Sequence, residues 1–225
     1  MPRPVQVIAT FRKRIGYSLN LYDELVLAVY QKKRQQSLES MLAEQCVLAL
    51  AVMWEAFIHD LIISYIEENS EACVGFHHNR VTQGIESRSK LFARWVTIEV
   101  PPILTRAQIE LMVDPDGWNV TADSAESLAK RATQFLSAPH AIKFSLAELD
   151  RRFVDLLIAT RNYLSHRSTG SLKIMKQRVN EMDVASPLKG AVTTVGAYLK
   201  TRPASTHTRA KLFGHELSSL AAKLI

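Results

Sequence analysis

Apolar residues recur three and four apart along nearly the whole chain, and β-branched residues seldom alternate with polar ones, so the pattern predicts an all-α protein. Leu19, Tyr22, Val26 and Val29 stripe a first helix that ends in the polar run Gln31-Lys32-Lys33-Arg34-Gln35-Gln36. A second, much longer helix is predicted over residues 37–68. Its centre, Val47-Leu48-Ala49-Leu50-Ala51-Val52-Met53-Trp54, is apolar on every side, which predicts a central helix buried by several neighbours. Residues 74–84 read as a loop, and 85–99 as a helix stopped by Pro101-Pro102. A short helix over 105–113 is closed by the turn Asp114-Pro115-Asp116-Gly117. Asp123 with Glu126 forms the start of a helix over 124–137.

Ser145-Leu146-Ala147-Glu148 has the form of a capping box and sets the start of the next helix. Advancing ~100° per residue from Leu149, the side chains of Phe153, Leu156, Thr160 and Tyr163 fall within about 40° of it, flanked by Leu157 and Leu164. That stripe is the expected core face. Asp155, Ala159, Asn162 and His166 gather on a different face, with Ile158 at its edge. A second face that mixes small, apolar and polar groups predicts contact with a partner subunit or a ligand. Helical patterns continue over 171–184, 188–200 and 208–224, with a loop at 201–206. No shift in composition requires a domain boundary, so 1–225 reads as a single all-α domain, with the residues after about 170 an accessory helical layer.

Composition narrows the class. Apolar residues make up 47% of the 225 residues, with only eight Gly and eight Pro, which fits an ordinary globular chain and excludes a disordered one. Cys46 and Cys73 are far apart and outside any Cys-x-x-Cys spacing, and Met1-Pro2-Arg3-Pro4 leads into a mixed segment rather than an apolar leader. A reducing cytoplasm is the expected setting. Residues 46–63 are apolar, but Glu55, His59 and Asp60 interrupt them, so a core helix is expected there and no membrane span. The net charge of +6 is unevenly distributed: residues 161–225 hold eleven Lys/Arg against three acids, and residues 1–160 hold seventeen against nineteen. Folded onto one face, that surplus would attract a polyanion; scattered, it is a solvated surface.

The surplus begins at Arg161-Asn162-Tyr163-Leu164-Ser165-His166. A permanently charged guanidinium, an amide and the side chain that titrates near neutrality are suited to binding and cleaving a phosphodiester. Asn162 and His166 are four apart and share a face, so the amide can orient the imidazole or share a phosphate with it. Arg161 lies ~140° round the helix from His166 and must curl towards it. Two such helices across a twofold axis would bring two arginines and two histidines into one basic cleft. The competing reading is that Arg and His in a last turn only satisfy terminal carbonyls and the helix dipole. Glu55 and Asp60 sit in an otherwise apolar helix and are expected at a rim or beside a cation, with Glu55 in reach of Arg161 or His166. Asp155 and Ser165 are the other candidates to support the site. Trp54, Phe57 and Trp95 are expected in the core. His77-His78 lacks ligand spacing, and no His-Glu-x-x-His, Cys/His cluster, phosphate-cradling glycine loop or Gly-x-Ser-x-Gly occurs, so neither metal nor cofactor is expected.

Arg161, Asn162 and His166, with Trp54-Glu55-Ala56-Phe57 on the long helix, resemble the HEPN superfamily, named for higher eukaryote and prokaryote nucleotide-binding domains. Its mark is an Arg, four to six residues, then a His, commonly with a polar residue after the Arg. The resemblance covers residues 37–170 and implies an antiparallel helical bundle there, with 171–225 as additional C-terminal helices, and a homodimer formed through the motif helix. In active members it implies a metal-independent endoribonuclease of toxin–antitoxin or antiphage systems. RNA would be the substrate, and an antitoxin or defence-complex protein the partner. On that reading the His166 pair moves protons at the ribose 2′-hydroxyl and the leaving 5′-oxygen, Arg161 holds the scissile phosphate, and Asn162 sets the imidazole tautomer or binds phosphate. The expected product is a 2′,3′-cyclic phosphate. Other members have lost catalysis, so a silent module that binds nucleic acid or protein is the alternative, and nucleotidyl-group recognition at the same cleft is a third.

Overall fold

In the computed structural model, which describes residues 2–99, 101, 103–117, 122–203 and 206–225, helix α1 (Pro4–Val29) opens with its proline where a missing N–H is no loss. Val7, Ile8, Phe11, Ile15, Leu19 and Tyr22 bury one face of it. The chain reverses through Gln31 and Arg34, both at positive φ (60° and 69°), and α2 (Gln35–Glu68) returns along α1. There follow α3 (Glu71–Arg88), α4 (Lys90–Ala93), α5 (Arg106–Val113), α6 (Ala125–Phe135), α7 (Ala138–Ala141), α8 (Glu148–His166), α9 (Thr169–Glu181), α10 (Val195–Lys200) and α11 (Arg209–Lys223), with a 3₁₀ turn at Ile142–Phe144. The protein is all-α, with no strand among the described residues.

Paired side chains give the helix directions. Arg161 meets Glu55 and Arg167 meets Glu44, so α8 runs antiparallel to α2. Lys211 meets Asp23 and Arg12 donates to Ser218, so α11 runs antiparallel to α1. Gly214 allows those two to approach closely, since a Cβ there would lie 2.7 Å from Leu19 Cδ2. One continuous core draws on α1, α2, α8 and α11. Phe153 of α8 faces Phe213 of α11 with ring centroids 5.7 Å apart, and Leu217 and Leu220 are fully buried. The residues after 170 therefore share the main core, and so does α1, outside the expected core of 37–170. Among the described helices α2 alone is long and apolar enough to cross a membrane, and half of its most apolar stretch is buried inside the protein.

Several local expectations are corrected. Residues 74–84 are not a loop but the middle of α3, and the helix expected over 85–99 is the end of α3 plus the short α4. Two glycines cost a helix only about 1 kcal/mol each, and Phe76 and His77 offset that by packing on Phe135. Ser89, extended at φ −160°, separates the two helices, and its hydroxyl accepts from the Phe92 amide. The Ser145 capping box does not form: α8 starts at Glu148 behind Ala147, and Glu148 turns to Arg151 and Arg152. Leu149 is 59% exposed rather than core; it walls an open cleft with Met182 and Leu188. Trp54 and Phe57 are buried as expected, but Trp95 is 72% exposed. Ser124, not Asp123, caps α6. Residues 188–194 are irregular, because the carbonyls of Pro187 and Lys189 turn to accept from Arg209. The expected turn at 114–117 is present, with Gly117 at φ +72° and its amide donating to Asp114. Pro102, and Ala204 and Ser205 of the expected loop at 201–206, lie outside the described residues.

Candidate functional site

The last turns of α8 carry the motif. Helix α8 stops because Arg167 takes a left-handed backbone (φ 52°), and Ser168 then caps α9 by accepting from the Ser171 amide. His166 is thus the final helical residue, exposed, at the C-terminal end of the helix.

Arg161 points across to α2. Its Nη2 donates to Glu55 Oε2 at 3.3 Å, and its Nε lies 3.1 Å from Glu55 Oε1, near enough for charge attraction but aimed off the line of a hydrogen bond. Nη1 donates to Asn162 Oδ1 at 3.3 Å. The side chains of Arg161 and Glu55 are 30% and 24% exposed, so water screens the pair in part and its net contribution to stability is of the order of 1 kcal/mol or less. Long contacts of this kind hold a guanidinium in place while leaving it free to take a better acceptor. Asn162 thus orients Arg161 and not His166, its amide NH₂ still available, and no described residue hydrogen-bonds to the imidazole.

The expected residues therefore divide. Arg161, Asn162 and Glu55 form one cluster, while His166 stands one turn beyond, on the same face as Asn162, with exposed Ser165 beside it. Asp155 does not join them. Its Oδ1 accepts from the Ala125 amide at 2.8 Å, its Oδ2 lies 3.9 Å from Arg178, and it secures the start of α6. Asp60 pairs with Arg106 at 2.6 Å, on another side of α2.

Two participants were missed. Arg167 donates to Glu44 Oε2 at 2.8 Å and lies over the Tyr163 ring. The hydrogen bond to Glu44 pushes the guanidinium pKa above its ordinary value, so the charge beside His166 is permanent. A second arginine immediately after the histidine was the available signal. With Arg161–Glu55, this pair fastens both ends of the motif segment to α2. The basic surplus of the tail is largely consumed in the same way: Lys211 on Asp23, Lys223 on Asp150, Arg178 on Glu181, and Arg209 on backbone carbonyls. Lys173 and Lys176 of α9 have no ion-pair partner among the described residues.

No protein-family model, curated protein or solved structure matches this chain. One end of a helix offers a half-neutralised guanidinium, a free amide donor and an accessible imidazole. That set can bind an anionic oxygen and move a proton within reach of it. Among the described residues no group of three His, Cys, Asp or Glu is placed to hold a metal ion.

Proposed function

We propose that the chain is a HEPN-type, metal-independent endoribonuclease that works as a homodimer in the cytoplasm, as a toxin or antiphage component restrained by an antitoxin or defence partner. The observation that carries this reading is the joint placement of Arg161, held at 3.1–3.3 Å by Glu55 and Asn162, and an exposed His166 on one helix end. A single copy supplies one imidazole. Cleavage through the 2′-hydroxyl requires a base to take its proton and an acid to protonate the leaving 5′-oxygen, so two copies of α8 about a twofold axis complete the set. The exposed apolar side chains of the α1–α2 face, Tyr17, Leu21, Leu25 and Val52 among them, support a second copy there, since Val52 is one turn from Glu55.

Arg161, drawn from Glu55 by a phosphate, would stabilise the charge that builds on the phosphorus oxygens. Asn162 would add a donor to the same phosphate. His166 would transfer the protons, a contribution of the order of 10²–10⁴-fold. The ion pair also favours a second reading, a silent module that binds nucleic acid or protein, because Glu55 already offsets the motif's charge. Incubating wild type and His166→Ala with single-stranded RNA in EDTA separates the two. Cleavage by wild type alone, leaving 2′,3′-cyclic phosphate ends, is the expected result; a folded dimer that cleaves no RNA would leave the silent module.

A further inference from the structure

On the far flank of α2 from Arg161, a cavity of about 280 Å³ opens between α1 and α2. Its floor is apolar: Phe11 and Phe57 stack at 4.1 Å between centroids, 13° from parallel, and Met53 forms a wall. Two charged groups of opposite sign stand at its mouth. Arg14 is exposed and has no hydrogen-bond or ion-pair partner among the described residues. Asp60, its side chain 45% exposed, gives Oδ1 to Arg106 at 2.6 Å and keeps Oδ2 free.

The charges decide what class of ligand fits. Arg106 is enclosed by Asp60, by Glu110 at 2.8 Å and by Glu67 at 3.9 Å, so three carboxylates face two guanidiniums and the local field does not favour a phosphate. A flat, uncharged ring with donors beside an acceptor does fit. We propose that this is a nucleobase pocket selective for guanine, the inference resting on the ribonuclease reading for its role but not for its chemistry. The N1–H and N2–H of guanine would donate to the Asp60 carboxylate, Arg14 would donate to O6, and the ring would lie against Met53 and the edges of the phenylalanine pair. Adenine and uracil present the wrong order of donors and acceptors, and cytosine offers the carboxylate one donor group in place of two.

The pocket is placed to read a base near a scissile bond. At ~100° per residue, Met53, Phe57 and Asp60 lie ~140–160° round α2 from Glu55 and within about a turn and a half of it along the axis. Measured across α2, the pocket and Arg161 are about one helix diameter, ~10–12 Å, apart. Single-stranded RNA read by splayed bases is held in this manner.

The test is binding of guanosine, adenosine, cytidine and uridine 5′-monophosphates to the full chain, followed by calorimetry or ligand-detected NMR, for wild type, Arg14→Ala and Asp60→Asn. The expected result is guanosine monophosphate bound about tenfold or more tighter than the others, and that preference lost in both variants. Four nucleotides bound alike, or a guanosine preference unchanged in Arg14→Ala, overturns the proposal. Arg14 is exposed and unpaired, so its variant folds even if Asp60→Asn, which weakens the hold on Arg106, does not. Binding needs no catalysis: a guanine preference without RNA cleavage removes the nuclease reading alone, and cleavage without base preference removes the pocket alone.

Discussion

Glu55 has a double effect on Arg161: it holds the guanidinium beside Asn162 and it lowers its effective charge. Glu55→Gln keeps the length and one acceptor, so stability is expected to fall by no more than about 1 kcal/mol in urea denaturation. On the ribonuclease reading, cleavage is expected to fall about tenfold, because Glu55 places Arg161 before the phosphate draws it away; unchanged turnover would mean that Glu55 does not place Arg161 for the phosphate. Arg209 is a different case, an arginine only 8% exposed whose counterparts are the carbonyls of Pro187, Lys189 and Tyr198, with the Tyr198 ring 4.7 Å away. Arg209→Met leaves those carbonyls unpaired and is expected to cost about 3 kcal/mol. Gly190→Ala should damage the same arrangement, since its Cβ would lie 2.5 Å from Arg209 Nη2. Burial pushes the thiol of Cys46 up to about 12 and that of Cys73 up to about 11. The unfolded chain gives up those protons first, near the ordinary ~8.5, so stability should fall as pH rises from about 8.5 towards 11. A thiol reagent at pH 8 should label neither cysteine until denaturant unfolds the chain.

At the level of elements, legibility followed burial. Helices α1, α8, α9 and α11 were readable because each sets an apolar stripe against the core, and the repeat of that stripe is what periodicity detects; α2 was readable because its centre is apolar all round. Helix α3 was not, since Cys73 is its only fully buried residue and its stability comes from ring contacts to Phe135, which no local pattern reveals. Hydrogen exchange should register the difference: amides of α3 and α4 are expected to exchange orders of magnitude faster than those of the α2 centre. The motif itself was legible as a string, but the role of Asp155 was not. That carboxylate shared a helix face with Asn162 in projection, and its partner, the Ala125 amide, lies thirty residues away in sequence. Irregular residues 188–194 escaped for the same reason, since the group that draws out their carbonyls is on α11.

At the scale of the molecule, the core is shared between segments far apart in sequence. Deleting 171–225 removes Phe213, Leu217 and Leu220 from their contacts and uncovers α1, so the truncated chain is expected to lose cooperative thermal unfolding by circular dichroism. If 37–170 formed an independent bundle, a sharp transition would remain. The basic C-terminal charge suggested a polyanion-binding field, yet most of it is already paired, Lys211 and Lys223 with carboxylates of α1 and α8 and Arg178 and Arg209 within the tail itself, which is why a count of Lys and Arg overstated the free positive surface.

The antiparallel pairing of α1 with α11 has a consequence for how the protein is made. The apolar stripe of α1 meets α2 soon after both are synthesised, with Phe11 against Trp54 and Phe57, but its flank at Leu19 is covered by α11, which begins only at Arg209. At ~5–20 residues per second, that flank waits on the order of ten seconds or more for its cover. Throughout that interval the nascent chain is a client for holding chaperones, and the motif segment is already synthesised on an unfinished scaffold. Any cleft built on α8 therefore matures only once α11 has been synthesised and has docked on α1 and α8.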